Sequence, residues 1–244
     1  MEDLDLGEAE VPSGHERASL AVARRAALAA GATVHRIMEV VSLGVPDAVR
    51  VPAEIAEQME ALAVAAAEDL VAEGSTVQAR AWVERLVGMA QGCWLSVPVR
   101  HAAASPRMFR EVPLCARIDD GSASEPLVLQ GFCDLLYEAP DGWVVVDYKT
   151  DSVPDEARVR RRYELQAGCY ALAVWQATGR PVLRAAFVMA AAGSSTRPAP
   201  YVEFAVTQEL LRRARERAAQ RANDLPQRLE MEGKHGGPLA LGEA

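Results

Sequence analysis

Hydrophobic positions in roughly the first hundred residues follow the spacing of α-helices. Alanines and leucines recur every three or four residues over about 13–42, 52–73 and 76–91, with a connector at 46–51. This spacing places the apolar residues of each segment on one side of a helix. We therefore expect an α-helical layer over residues 1–105.

The pattern changes near Arg107 to runs that are typical of β-strands. The strand-like runs are MFREVPLCARI, LVLQGFCDLLYE, WVVVDYK, VLRAAFVM and YVEFAV. A helical segment over 155–178 separates the third run from the fourth, which predicts a βαβ unit with parallel strands. The second and third runs are joined by a hairpin turn, which predicts antiparallel pairing, and the first two runs are arranged as neighbours. The predicted fold class is α/β, with a mixed central sheet and flanking helices.

The rest of the chain completes a single domain. A last helix is expected over 207–223, and Pro226 should interrupt the segment after it. We expect an α/β core over 106–206, and a C-terminal helix and tail over 207–244.

The stretch GFCDLLYEAPDGWVVVDYKT, residues 131–150, predicts a β-hairpin with a turn at APDG. If Glu138 pairs with Trp143 across that turn, Asp134 lies opposite Asp147. Directly opposed residues of an antiparallel pair share a face of the sheet and lie a few ångströms apart. The hairpin therefore predicts two neighbouring carboxylates at its open end.

Lys149 lies two residues beyond Asp147 and is expected on the same face. Like charges directly opposite each other are destabilising, so the two aspartates need a compensating interaction. A hard divalent cation would supply it. The alternative is an ordinary buried ion pair with one spare acid.

A third acid is predicted beside the first two. With Ile118 opposite Leu127, the two preceding strands place Glu111 next to Asp134. The eight-residue loop DDGSASEP between these strands leaves that register free to shift by a few positions.

The use of lysine favours chemistry over a structural ion pair. Of the 26 basic residues, 24 are arginines and two are lysines, and Lys149 is one of the two. Lysine is a compact point charge whose pKa shifts readily, whereas arginine stays charged, so the two are not interchangeable.

Charge and cysteine content narrow the function classes. The net charge of −8 is unfavourable for a protein that binds nucleic acid through phosphate contacts over a wide surface. The four cysteines form no CxxC pair, which argues against a zinc ribbon or an iron–sulfur cluster and fits reduced thiols in the cytoplasm. No apolar run reaches membrane-spanning length, so no membrane partner is expected.

The helix over 155–178 carries a polar stripe. Tyr163, Gln166 and Tyr170 recur at the spacing of one helix face and are expected beside the open end of the hairpin. The alternative is an amphipathic helix with tyrosines at its margin. The first turns of this helix hold Arg158, Arg160, Arg161 and Arg162. Such a run is usually a solvated face, but a helix N-terminus also favours phosphate.

These motifs together resemble the RecB- and AddA-like branch of the PD-(D/E)XK nuclease superfamily. The likeness is strongest over 107–190 and extends to GATVHRIMEVV at 31–41. Cys133 stands where the superfamily's name has proline, and Asp147 where it has glutamate in most branches. The residues that match the family's motifs are His35, Glu111, Asp134, Asp147, Lys149, Tyr163 and Gln166.

The resemblance implies a role for each of these residues in a restriction-endonuclease-like core. The expected metal ligands are His35, Glu111, Asp134 and Asp147. The expected catalytic residues are Asp134, Asp147, Lys149 and Glu111. Residues expected to support the site or bind DNA are Tyr163, Gln166, Arg158, Arg161 and Arg162.

The implied function is Mg²⁺-dependent hydrolysis of DNA, with Mn²⁺ also accepted and no iron–sulfur cluster. The implied partners are DNA with single-stranded or frayed ends and a helicase domain or subunit, in DNA end processing and recombinational repair. The main alternative is an inactive DNA-binding or scaffolding module of a repair complex. A small-molecule hydrolase with the same metal site is a third interpretation.

Overall fold

The computed structural model describes residues 14–45, 48–72, 79–118, 127–151 and 155–233. The predicted loop at 119–126 and the end of the C-terminal tail lie outside these residues.

Six α-helices are present among the described residues. They are α1 (Gly14–Val40), α2 (Ala53–Ala72), α3 (Ala79–Leu95), α4 (Val97–Ala104), α5 (Glu156–Thr178) and α6 (Gln208–Gly233). The short α4 was not predicted; its proline lies in the first turn, where a missing N–H is tolerated. None of the helices among the described residues is long and apolar enough to cross a membrane.

Helix α6 differs from its prediction at the C-terminal end. The sequence predicts an end near residue 223 and an interruption at Pro226, whereas the helix continues to Gly233. Proline removes one backbone donor and crowds the preceding turn, but it does not by itself end a helix whose flanking residues remain helical.

In the part of the chain that the structure describes, five strands form one sheet in the order β1-β2-β3-β4-β5. The strands are β1 (Met108–Ile118), β2 (Leu127–Ala139), β3 (Gly142–Lys149), β4 (Val182–Met189) and β5 (Tyr201–Ala205). Of the pairs that these five described strands form, β3 with β4 is the parallel one, and α5 connects the two strands, which confirms the βαβ unit. The mixed sheet with flanking helices confirms the predicted fold class.

Both predicted strand registers are confirmed. Glu138 pairs with Trp143 across the β2–β3 turn. Ile118 pairs with Leu127 at the outer end of β1 and β2. These registers bring Asp134 to the end of the β2–β3 ladder.

The sheet has an apolar core on each face. On one face, Val144, Val146 and Tyr148 of β3 pack with side chains of α1, α2, α3 and α4. On the other face, Trp143 and Val145 pack with side chains of α5 and α6. Because both faces are covered, β3 is a nearly continuous hydrophobic run. Below, these faces are called the helical-layer face and the α5 face.

Helix α3 makes a close backbone contact at Gly92 with the segment that comes after β4. A Cβ at Gly92 would lie 2.6 Å from the Cα of Gly193. The carbonyl of Gly92 accepts a hydrogen bond from the Ala199 N–H at 2.8 Å. Backbone atoms cannot rotate away from an added methyl group, so this contact depends on glycine.

We expect Gly92→Ala to lower the free energy of unfolding by about 1–3 kcal/mol, the usual cost of overpacking. Gly88→Ala is the matched control, because a Cβ one turn earlier on α3 would meet its nearest atom at 3.8 Å. That control should be neutral or stabilising by up to about 1 kcal/mol, since alanine favours helix over glycine. Urea unfolding measures both, and equal effects of the two substitutions would contradict the close contact.

Candidate active site

The β1–β2 hairpin changes faces at Glu111. Met108 packs on the helical-layer face, whereas Val112 and Leu114 pack on the α5 face. Glu111 has φ = +46°, and among the described residues it is the only non-glycine residue with positive φ. A left-handed residue of this kind costs about 1–3 kcal/mol and persists where its surroundings fix it.

Strand β2 changes faces at the same level. Cys133 belongs to the α5-face core and Leu135 to the helical-layer core. The ladder pairs Arg110 with Leu135 and Val112 with Cys133, which leaves Glu111 opposite Asp134 between them. The outer arm of the hairpin therefore bends away from the sheet at these two acids.

Asp134 is buried, and each of its two carboxylate oxygens has a hydrogen-bond partner. Its Oδ2 accepts a hydrogen bond from the backbone N–H of Tyr148. Its Oδ1 lies 2.7 Å from Nδ1 of His35. The β2–β3 ladder ends at the pair Leu135 and Val146, so the carboxylate takes a backbone donor that the ladder no longer pairs.

His35 reaches Asp134 from α1. Because a carboxylate only accepts, Nδ1 carries the hydrogen, and Nε2 is left outside this bond. Burial lowers the pKa of His35, but the hydrogen bond and charge of Asp134, aided by Asp147 and Glu111, outweigh burial and raise it. The imidazole therefore offsets part of the negative charge around it.

Two contacts fix α1 against the strands. A Cβ at Gly31, one turn before His35, would lie 3.1 Å from Oγ1 of Thr150. The guanidinium of Arg110, next to Glu111 in the chain, binds the C-terminal end of α1. Its Nη1 donates to the carbonyls of Met38 at 3.2 Å, Glu39 at 2.6 Å and Val41 at 2.7 Å. Helix ends leave such carbonyls without intrahelical partners, so Arg110 ties α1 to β1.

His35, Glu111 and Asp134 form a compact group of potential metal ligands. One ligand atom from each lies within 4.8 Å of the others. Burial and the charge of Asp134 raise the pKa of Glu111. A divalent cation bound here would remove the repulsion between the two carboxylates.

Asp147 and Lys149 lie beside this group, on the α5 face. Lys149 Nζ is 2.7 Å from Oδ2 of Asp147. The Tyr170 hydroxyl donates to Oδ1 of Asp147 at 3.1 Å. Burial, then the charge of Asp134, raises the pKa of Asp147 although Lys149 opposes the shift. Asp147 is thus close to the three-residue group but turned towards Lys149 and α5.

The comparisons with known proteins agree with this geometry. The sequence model of the PD-(D/E)XK nuclease superfamily matches residues 14–237. The chain belongs to this superfamily. Membership and the mixed sheet together confirm the predicted family and fold class.

Curated relatives of this nuclease-superfamily member are much longer proteins. This chain is 38% identical over 95 residues to an ATP-dependent helicase/nuclease subunit of Acetivibrio thermocellus. The aligned region covers 34% of this chain and 8% of that protein. The chain is 38% identical over 88 residues to the protein of the same name from Bacillus velezensis, covering 30% of this chain and 7% of that protein. The matches thus span less than a tenth of each relative.

Among solved structures, a candidate exonuclease from Eubacterium rectale aligns with a TM-score of 0.41 and 15% identity. The alignment covers 76% of this chain and 77% of the other. A similarity at this level is too low to indicate a shared function.

The structure brings together most of the residues predicted for the site of this superfamily member. Of the four predicted metal ligands, His35, Glu111 and Asp134 are grouped, and Asp147 lies beside them. Lys149 contacts Asp147, and its Nζ lies 4.9 Å from the centre of the Tyr163 ring.

The polar stripe of α5 reaches the site through a residue outside the predicted site set. Gln166 donates to the Tyr170 hydroxyl at 2.6 Å, and that hydroxyl donates to Asp147. The spacing of the stripe pointed to Tyr170, but only the structure shows its contact with an acid. Tyr163 instead donates to Asp151 at 2.6 Å, an acid that the sequence reasoning missed.

The predicted arginines differ in their distance from the acids. Arg162 pairs with Asp151 at 3.0 Å, at the rim of the site. Arg158 and Arg161 are exposed in the first turns of α5 and form no ion pair with a described residue. Their predicted role in holding DNA stays a prediction.

The residues fit a divalent metal ion on two observations. Oxygen donors from two acids converge with one imidazole, a third acid, Asp147, lies beside them, and Mg²⁺ and Mn²⁺ accept such ligands. In addition, Oδ2 of Asp147 is buried, and the partner that the structure shows for it is the Lys149 ammonium at 2.7 Å. A buried carboxylate needs a cation beside it, and a divalent ion would share this oxygen with Lys149.

We expect Asp147→Asn to raise the melting temperature of the metal-free protein by at least about 2 °C, the shift that 1 kcal/mol produces at this size. The folded protein holds the Asp147 proton more tightly than the unfolded chain does, since the pKa is raised from 3.8. The parent therefore loses stability as the pH rises through the window above 3.8, and the asparagine variant does not lose this contribution.

Thermal melts across this pH range, with EDTA and with Mg²⁺, measure the effect. Asp141→Asn, in the exposed turn of the same hairpin, is the control and should match the parent. Mg²⁺ should stabilise the parent more than Asp147→Asn. An equal Mg²⁺ effect on both proteins would mean that Asp147 does not contribute to the metal site.

Proposed function

We propose that this chain is a metal-dependent nuclease that hydrolyses phosphodiester bonds in DNA. The observation that carries the proposal is the grouping of His35, Glu111 and Asp134 within 4.8 Å, beside the ion pair of Asp147 and Lys149. Membership of a nuclease superfamily supports this interpretation of the group.

The three carboxylates and the imidazole of His35 would hold a divalent ion. Mg²⁺ would be the physiological ion, and Mn²⁺ would also be accepted because it binds imidazole well. When bound, such an ion lowers the pKa of water and polarises a phosphoryl oxygen. Asp134 keeps its position because the Tyr148 N–H and His35 hold its two oxygens.

Lys149 has the position of a group that handles the attacking water. Its side chain is 18% exposed, so the ammonium is partly buried yet reaches solvent next to Asp147. In that place it can orient a water molecule and offset the negative charge that develops on the phosphate. Tyr170 donates to the other oxygen of Asp147, and Gln166 holds the Tyr170 hydroxyl, so the two residues fix the acid beside the three-residue group.

We also propose that the natural setting is a helicase–nuclease that processes DNA ends for recombinational repair. The curated relatives are helicase/nuclease subunits, and the match covers only a small share of each. A chain with a net charge of −8 binds DNA weakly through phosphate contacts alone. A helicase domain or subunit would raise the local concentration of single-stranded or frayed ends at the site.

We expect Asp147→Ala and Lys149→Ala each to reduce Mg²⁺-dependent cleavage of linear single-stranded DNA by about 100-fold or more, as removal of a general acid–base group does. Asp141→Ala, in the exposed turn of the same hairpin, should cleave like the parent. Gel assays with Mg²⁺ and with EDTA measure the rates. Cleavage at the parental rate by folded Asp147→Ala protein would refute the assignment, and an inactive parent would favour the DNA-binding or scaffolding module.

His35→Ala should raise the Mg²⁺ concentration for half-maximal cleavage about tenfold or more, because a lost ligand contact of ~1.4 kcal/mol weakens binding by that factor. Excess Mg²⁺ should restore most of the rate. His101→Ala, an exposed histidine at the end of α4, is the matched control and should leave the Mg²⁺ dependence unchanged. If His35→Ala shows the parental Mg²⁺ curve, His35 contributes only to packing.

A further inference from the structure

The outer arm of the β1–β2 hairpin has one covered face and one open face. Leu114, Ala116 and Ile118 are buried in the α5-face core. The residues between them and their partners on β2 point the other way and are exposed. These exposed residues are Pro113, Cys115, Arg117, Val128, Gln130 and Phe132.

Phe132 is the most exposed aromatic residue in the part of the chain that the structure describes, with 61% of its surface accessible. Its cross-strand partner is Pro113, which is also exposed. Opposed side chains lie only a few ångströms apart, so the two form one apolar surface. Single exposed hydrophobic residues need no explanation, but a paired aromatic ring and proline beside buried acids do.

This apolar surface lies next to the two acids along both strands of the hairpin. Phe132 lies two residues before Asp134, and Cys133 between them points into the α5-face core. Pro113 likewise lies two residues after Glu111. Two residues of extended chain span at most about 7 Å, so the Cα atoms of Phe132 and Pro113 each lie within that distance of the Cα of an acid. The ring therefore lies one step from the group that would hold the scissile phosphate.

We propose that Phe132, supported by Pro113, stacks on an unpaired base of single-stranded DNA next to the bond that is cut. This rests on the proposed nuclease function and names the residues that would bind its single-stranded substrate. A base in a duplex has both faces covered by its neighbours, whereas an unpaired base offers a free π-face to an aromatic side chain. Stacking also explains how an acidic protein holds DNA, because it requires no phosphate contact.

The test is the binding of fluorescent single-stranded DNA, single-stranded DNA made of abasic units and blunt duplex DNA, measured by anisotropy in EDTA. Phe132→Ala should weaken binding of the single strand by about 5- to 150-fold, the range found for loss of one stacked base. Phe132→Trp should bind like the parent and Phe132→Leu like Phe132→Ala. The loss should be the same at low and high salt.

Phe109→Ala is the matched control. Phe109 is the other exposed aromatic residue of the hairpin, with 44% of its surface accessible, and it lies on the α5 face against Trp143 at 6.0 Å between ring centres. This variant should bind the single strand like the parent. Neither the abasic strand nor the blunt duplex should distinguish Phe132→Ala from the parent.

Several outcomes would overturn the stacking inference. One is parental affinity of Phe132→Ala or Phe132→Leu for the single strand. Another is an equal loss on duplex or abasic DNA. A third is a changed sedimentation coefficient without a change in DNA binding, which would assign the surface to a second copy of the chain. If the parent cuts DNA but Phe132→Ala binds as before, the nuclease proposal stands and this inference fails. If binding of the single strand depends on Phe132 but the parent makes no Mg²⁺-dependent cut, the nuclease proposal fails, and the stacking of Phe132 on an unpaired base stands without it.

Discussion

Three carboxylates in one partly buried space are the constraint on which this site depends. Asp134 and Asp147 are 6% and 4% exposed, and Glu111 lies opposite Asp134. Loss of hydration and their mutual repulsion raise the pKa of Glu111 and of Asp147. Without a metal ion, the groups that oppose this repulsion in the described part of the chain are His35, Lys149 and a few hydrogen bonds. The surrounding fold therefore has to hold the acids in place at a cost in stability, which a bound cation would relieve.

The fold meets this constraint through the bend of the β1–β2 hairpin and the position of α1. The left-handed backbone of Glu111 turns β1 from one face of the sheet to the other. The preceding residue, Arg110, binds the last carbonyls of α1 and so places His35 against Asp134. Beyond the bend, the free face of the hairpin presents Phe132 next to the acids. One local change in the backbone thus joins the metal ligands, the helical layer and the proposed base-stacking surface.

Much of the fold could be predicted because its signals are local. The APDG turn sets the β2–β3 register, and the hydrophobic run of β3 indicates burial on both faces. Extended by one pair, that register predicts Asp134 opposite Asp147, whereas the observed ladder ends at Leu135 and Val146. The hydrogen bond from Tyr170 to Asp147 could not be predicted, because it depends on how α5 packs on the sheet. Nor could the positive φ of Glu111, since the sequence there has no glycine to mark it. The contact between His35 and Asp134 could be predicted only from the family resemblance, because 99 positions separate the two residues in the sequence.

The acids and His35 are, on this proposal, held together to bind a catalytic divalent ion. The most direct measurement is anomalous diffraction from crystals of the chain soaked in Mn²⁺ at a concentration that supports DNA cleavage. We predict an anomalous peak bounded by His35, Glu111 and Asp134, with Asp147 turned towards it and away from Tyr170. A peak elsewhere, or none at these residues while the same preparation cleaves DNA, would contradict the proposed metal site.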